Sequence, residues 1–199
     1  MKVVLLKYNA GNVQSVLYAL ERIGVEAVVT DNHEEIRSAD RVLFPGVGEA
    51  LSAMQSLQEK NLDKLIPELK QPVLGICVGL QLLCAHSEER DTKGLGVFNV
   101  KVKRFPTKPN LKVPQIGWNA IYDLQSPLFK DVKENSYIYY VHSYYAELCP
   151  WTIGKSDYGI EYSASIQKDN FYGVQFHTEK SADAGEQILR NFINITDRK

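Results

Sequence analysis

Short apolar runs alternate with helix-spaced segments through the first half of this chain, and glycine-rich turns close two of the runs. Val3–Leu6 has the unbroken apolar character of a strand covered on both faces of a parallel sheet. Val13, Val16, Leu17, Leu20 and Ile23 follow at helical spacing, with Asn12 as a candidate N-cap and Gly24 as a candidate stop. Residues 27–29, 42–44 and 73–76 give further strands, and segments from Asp31 or Asn32 to Ile36, over 49–57 and over 80–85 read as helices. This alternation predicts an α/β fold: a doubly wound, mostly parallel central sheet flanked by helices. Function in such sheets belongs at the carboxyl ends of the strands, where the turns 45–48 and 75–79 fall.

Beyond residue 98 the pattern changes to short strands separated by turn residues, clearest at Val100/Val102, 137–141, 160–162 and 172–176. A small antiparallel sheet is expected in this second half, then a closing helix over 184–195 with Ile188, Leu189, Phe192 and Ile193 on one face. With 199 residues and no repeat or linker, one domain spanning 1–199 is expected. The formal net charge of −1 gives no basic bias toward nucleic acid or an anionic membrane. No stretch approaches the ~20 apolar residues of a membrane span, and the N-terminal apolar run is too short for a signal peptide. Three widely spaced cysteines make neither a disulfide framework nor a zinc site, so a cytoplasmic, metal-free protein is expected.

Gly75-Ile76-Cys77-Val78-Gly79 lies between a strand and a helix and has the form of a nucleophile elbow with cysteine in serine's place. Small residues two positions away relieve the tight turn. The helix that follows points its positive end at the sulfur and leaves the Val78 N–H free to donate to an oxyanion. A buried structural cysteine beside turn glycines would look the same. Cys84 reads as core, Cys149 has no assigned role, and Gly46-Val47-Gly48 lacks the third glycine of a dinucleotide fingerprint.

A thiol nucleophile needs a base, and the base needs an orienter. His177 ends an apolar run and Glu179 lies two residues on, the spacing that puts both side chains on one side of an extended chain. One imidazole nitrogen could then meet the carboxylate and the other Cys77. Taken singly, His177 also suits a strand-end surface position and Glu179 a solvated carboxylate. His33 and His86 read as helix residues, and His142 as a satisfied strand histidine.

Three segments together resemble the class I, triad-type glutamine amidotransferases. They are Gly75-Ile76-Cys77-Val78-Gly79-Leu80-Gln81, Gly173-Val174-Gln175-Phe176-His177-Thr178-Glu179, and Phe44-Pro45-Gly46-Val47-Gly48, which looks like the family's second oxyanion loop. Tyr8-Asn9-Ala10-Gly11-Asn12, Val113-Pro114-Gln115-Ile116-Gly117-Trp118-Asn119 and Tyr140-Val141-His142-Ser143-Tyr144 are similar to the glutaminase subunits of imidazole glycerol phosphate synthases. The resemblance implies Cys77 as nucleophile, His177 as base, Glu179 as orienter, and Val47 and Val78 as oxyanion donors. It implies that Gln81, Ser143 and Tyr144 hold the glutamine, and that Asn12, Trp118 and Lys180 face a synthase partner, although composition alone would make Trp118 a core residue. The chain departs from the family pattern at Lys7-Tyr8-Asn9, where Asp-Tyr-Gly is usual, and at Thr178, where proline is usual.

The expected reaction is hydrolysis of glutamine through a Cys77 thioester, with no metal or organic cofactor. The ammonia would pass to a separate cyclase subunit, a (β/α)8 barrel in a heterodimer, for imidazole glycerol phosphate and AICAR formation in histidine biosynthesis. A paralogous glutaminase serving sugar-nucleotide amination would share every catalytic residue. A cysteine peptidase of similar architecture would carry histidine where Val78 stands, and a silent binding subunit would not need the intact triad.

Overall fold

The computed structural model describes residues 1–9, 12–109 and 111–196. Ala10 and Gly11, part of one quoted motif, lie outside the described residues. Five strands, β1 (Val3–Leu6), β2 (Ala27–Thr30), β3 (Arg41–Gly46), β4 (Val73–Cys77) and β13 (Phe171–Val174), form a parallel block in the order β2-β1-β3-β4-β13. Between them come α1 (Val13–Arg22), α2 (His33–Arg37), α3 (Ala50–Glu59), α4 (Leu62–Leu65) and α5 (Val78–Leu83), and α6 (Ala182–Asn194) follows β13. Asn12 caps α1 as expected, accepting from the Ser15 N–H, and of the two candidates Asp31 and Asn32 it is Asn32 that caps α2, accepting from the Glu34 and Glu35 N–H groups. Gly24 takes φ +77°, the left-handed turn that ends α1.

The second half of the chain extends this block. β12 (Glu161–Lys168) pairs antiparallel with β13, and β10 (Tyr144–Ala146), β7 (Phe98–Arg104), β5 (Cys84–Ser87) and β6 (Thr92–Lys93) continue the sheet, with β11 (Thr152–Asp157) on the far side of β12. The expected small antiparallel sheet is β8 (Gln115–Ile121) paired with β9 (Ser136–His142). It stands apart from the main sheet.

One helix ends earlier than its sequence pattern implies. α5 stops at Leu83, and Cys84 begins β5, as a core residue on a strand. Cys84 turns to extended backbone, φ −71° and ψ 169°, and pairs with Phe98 of β7, so sheet pairing takes the residues that would continue the helix. His86 therefore sits on a strand, 2.7 Å from Asp91. His33 opens α2 as expected, but its Nε2 lies 2.9 Å from the Lys60 carbonyl and is only part-exposed. Among the described residues no helix is long and apolar enough to cross a membrane.

Candidate active site

The carboxyl ends of β3, β4 and β13 lie side by side. Gly46 pairs with Cys77, and Ile76 with Val174, so register alone brings the 46–48 turn, Cys77 and the 175–177 segment together. Cys77 adopts φ 55°, ψ −111°, a conformation that non-glycine residues avoid and that the surroundings must impose. The glycines around it are required by contact. A Cβ on Gly79 would lie 1.9 Å from the Phe44 carbonyl oxygen, and one on Gly75 would lie 2.8 Å from the Leu80 nitrogen. α5 can press against β3 and β4 only because neither position carries a side chain. Tyr8 holds the adjacent loop from beneath, its buried hydroxyl donating to the Pro45 carbonyl at 2.7 Å. Gly48 has a different reason to be glycine, namely φ +91°.

His177 follows β13 and opens the 3-10 turn Thr178–Lys180. Its Nδ1 donates to Glu179 Oε1 at 2.8 Å, and the Glu179 side chain is only 1% exposed. Burial alone would lower the imidazole's affinity for a proton. Hydrogen bonds and charges from Cys77 and Glu179 outweigh it and raise His177 to about 10. The imidazole is thus linked to the sulfur on one side and the carboxylate on the other, as the sequence spacing implies. Thr178 leaves the turn intact, and its buried hydroxyl has no partner among the described residues.

A cavity of about 300 Å³ opens over the sulfur. Val47, Gly48, Cys77, Val78 and His177 line it together with Gln81, Ser143 and Tyr144. Glu179 apart, every position expected to act on or hold a substrate therefore reaches one cavity. Trp118 is 52% exposed, which removes the core reading, and Lys180 is exposed. Asn12 caps α1. Trp118 shares the outer face of the β8–β9 pair with Ile116, Tyr137 and Val141, all exposed.

Four further residues matter here that have no role assigned from the sequence. Among the described residues, Glu89 is the one carboxylate lining the cavity. Burial raises its pKa, opposed by the bond it accepts at 2.7 Å from the Ala50 N–H. Gln175 is fully buried, with Nε2 3.8 Å from Cys77 Sγ. It lies two residues before His177, so the same alternation that selects Glu179 could have found it. Tyr139 and Ser181 form a clamp: the His177 N–H donates to the Tyr139 carbonyl at 2.9 Å, while Ser181 Oγ donates to the His177 carbonyl at 2.6 Å and accepts from the Tyr139 N–H at 3.0 Å. His142 is neutral and satisfied. Burial lowers it to about 4, helped by the nearby His177 and opposed by its bond to the Tyr144 carbonyl.

Known proteins match essentially the whole chain. The family model "Glutamine amidotransferase class-I" matches residues 4–195. A Bacteroides fragilis protein named imidazole glycerol phosphate synthase subunit HisH is 53% identical over 98% of this chain and 100% of its own length. A Pasteurella multocida protein of the same name is 43% identical over 96% of each. Among solved structures, a Thermoplasma acidophilum protein described as a putative GMP synthase component superimposes with a TM-score of 0.75 at 19% identity, covering 97% of this chain and 92% of that one. With a match from residue 4 to residue 195 laid over a cysteine elbow and a buried histidine–carboxylate pair, the chain belongs to the class I glutamine amidotransferases.

Proposed function

We propose that this chain is the glutaminase subunit of an imidazole glycerol phosphate synthase, hydrolysing glutamine and passing the ammonia to a cyclase subunit. The observation that carries the glutaminase reading is the single cavity on which Cys77, His177 and the Val47/Val78 turns converge. Full-length likeness to relatives named for that synthase supports the histidine-pathway partner over a sugar-nucleotide one.

The Cys77 thiolate attacks the side-chain amide carbon, and electrons move onto the carbonyl oxygen, where the Val47 and Val78 N–H groups receive the charge. The raised His177 imidazolium gives its proton to the nitrogen as the C–N bond breaks, releasing ammonia and leaving a thioester. Neutral His177 then takes a proton from water, which adds to the thioester. Collapse of that adduct breaks the C–S bond, expelling the Cys77 thiolate beside the His177 imidazolium, and the new carboxyl group loses its proton to solvent as glutamate. Glu179 keeps the ring oriented throughout. Gln81, Ser143 and Tyr144 hold the substrate, and Glu89 receives its α-ammonium.

Ammonia released into neutral water is mostly protonated and loses its nucleophilicity, so the site needs a synthase docked over it. The outer face of β8–β9, with Ile116, Trp118, Tyr137 and Val141 exposed beside the cavity, suits an apolar docking surface. Lys180 and Asn12 extend that surface to a (β/α)8-barrel partner in a cytoplasmic heterodimer, with this chain as a single domain.

Cys77→Ala tests the reading in the reconstituted complex. Glutamine-dependent product formation is expected to vanish while ammonia-dependent formation by the partner continues. Glutamine turnover surviving in that variant would remove Cys77 from the mechanism. Failure to form a complex or product with a cyclase subunit would remove the pathway assignment alone.

A further inference from the structure

Gln175 is a fully buried amide at the end of a strand whose neighbours, Val174 and Phe176, are apolar and fully buried. A buried amide is costly unless its donors and acceptor are engaged. Here the partners form one chain of contacts. Gln81 Nε2 donates to the Tyr144 carbonyl at 2.9 Å and to Gln175 Oε1 at 3.0 Å, and Gln175 Nε2 donates to Cys77 Sγ at 3.8 Å.

The orientation of both amides follows from the first contact. A backbone carbonyl only accepts, so the Gln81 –NH2 must face Tyr144. That group also reaches Gln175, so Gln175 must present its oxygen there. Its –NH2 is then turned to the sulfur, with no freedom to flip. The Val141 carbonyl also lies 3.8 Å from the same sulfur, and it is an acceptor that suits a neutral thiol. The sulfur therefore sits between one group that favours S–H and one that favours S⁻.

We propose that Gln175 is a positioning residue for the glutaminase reaction: its amide N–H holds the Cys77 sulfur as the attacking thiolate, and Gln81 with the Tyr144 carbonyl fixes that N–H in place. The inference rests on Cys77 being the nucleophile. It also gives Gln81 a second role. Both of its amide protons are engaged inside the protein, so its carbonyl oxygen is the atom left for the cavity it lines.

The test measures alkylation of Cys77 by iodoacetamide across pH in the full chain, followed on the Cys77 peptide so that Cys84 and Cys149 do not contribute. Gln175→Met keeps the length and removes the donor. It is expected to slow alkylation at neutral pH about tenfold, the weight of one hydrogen bond to a charged group, with the rate recovering as pH rises. In the complex, kcat with glutamine should fall by about as much while KM changes by less than about threefold, because the lost bond acts on the nucleophile and not on the bound substrate. Gln81→Met leaves the Gln175 donor present but unheld and should slow alkylation about threefold, an effect that a purely substrate-binding residue would not have on so small a reagent. A folded Gln175→Met protein alkylating at the wild-type rate at every pH overturns the proposal. If that variant does not fold, unchanged alkylation in Gln81→Met overturns it instead. Cys77→Ala retaining glutamine turnover would strike the underlying nucleophile assignment, a result distinguishable from either.

Discussion

The carboxyl edge of the parallel block and the β8–β9 hairpin meet at the same cavity, yet they are built on opposite rules. β1, β3, β4 and β13 are buried along their whole lengths, so every residue there is fixed from both faces. The hairpin has one satisfied face and one open face. Inward, Gln115, Tyr140 and His142 are buried, with Tyr140 bonded to Ser156 and His142 to the Tyr144 carbonyl. Outward, Ile116 and Tyr137 are 63% and 65% exposed. A two-stranded sheet is marginal alone, and this one leans on the site through the Tyr139–His177–Ser181 clamp. Cys77 and His177 thus sit on a scaffold with no slack, while the element beside them leaves apolar side chains exposed.

If the parallel edge has no slack, a single methyl group should break it. Gly79→Ala places a Cβ 1.9 Å from a backbone oxygen that cannot move without shifting β3. A stability loss of about 4 kcal/mol or more is expected, in the range of severe overpacking and strain, or no folded protein at all. Gly117 is the matching position on the hairpin, with φ +129° and no described atom within 4 Å of where a Cβ would point. Gly117→Ala should therefore cost only backbone strain, about 1–3 kcal/mol. Equal losses in urea unfolding of the two variants would erase the distinction.

The two histidines carry the contrast into pH. His142, on the hairpin's inner face, is lowered to about 4, so the unfolded chain takes up a proton first as pH falls. Its stabilising effect is present above about 6.5 and is lost toward pH 4, up to about 3 kcal/mol from that shift. His177, on the parallel edge, is raised to about 10. Its contribution is full below about 6.5 and is lost as pH rises through 10. Urea midpoints between pH 7 and pH 4.5 should fall less steeply in His142→Gln than in the wild-type chain. Identical slopes would mean that His142 is not the group that titrates.

The same contrast decides what can be read from the sequence. The parallel strands are continuous apolar runs, and capping residues and glycines mark their ends, so the block, the elbow and the bonded His177–Glu179 pair are all legible. β8 is not, because its pattern is inverted: the polar Gln115 points in while Ile116 and Trp118 are exposed. Read with the usual rule, Trp118 looks like core. An inside-out strand suits the proposed docking face, and the rule has no place for it. The overrun of α5 has another cause, since the pairing of β5 with β7 joins segments distant in sequence. Glu89 likewise sits in a charged segment with no periodicity to select it.

If the outer face of the hairpin exists for a partner, Trp118→Ala should leave the isolated chain almost as stable as before. The complex with the synthase should weaken by about 2 kcal/mol, roughly thirtyfold in Kd, as for an aromatic anchor at an interface. Calorimetric titration of the two subunits measures this directly. A variant that melts early and binds normally would make Trp118 a structural residue.

The smallest effect is expected in the cavity that the two regions share. Glu89 approaches the cavity from the segment beyond β5, and one carboxylate oxygen, Oε2, is already engaged by the Ala50 N–H. Its other oxygen is left to meet a ligand cation, and an ammonium there would offset the burial that raises the carboxyl. Glu89→Gln keeps an acceptor for Ala50 and removes only the charge. KM for glutamine should rise about tenfold, near 1.4 kcal/mol, while kcat stays within about twofold, because the α-ammonium is remote from the amide being cleaved. A glutamine analogue lacking the α-amino group should react equally poorly with both proteins. If the variant instead keeps the wild-type KM, the carboxylate serves only to hold the α3 terminus, and substrate recognition belongs to Gln81, Ser143 and Tyr144 without it.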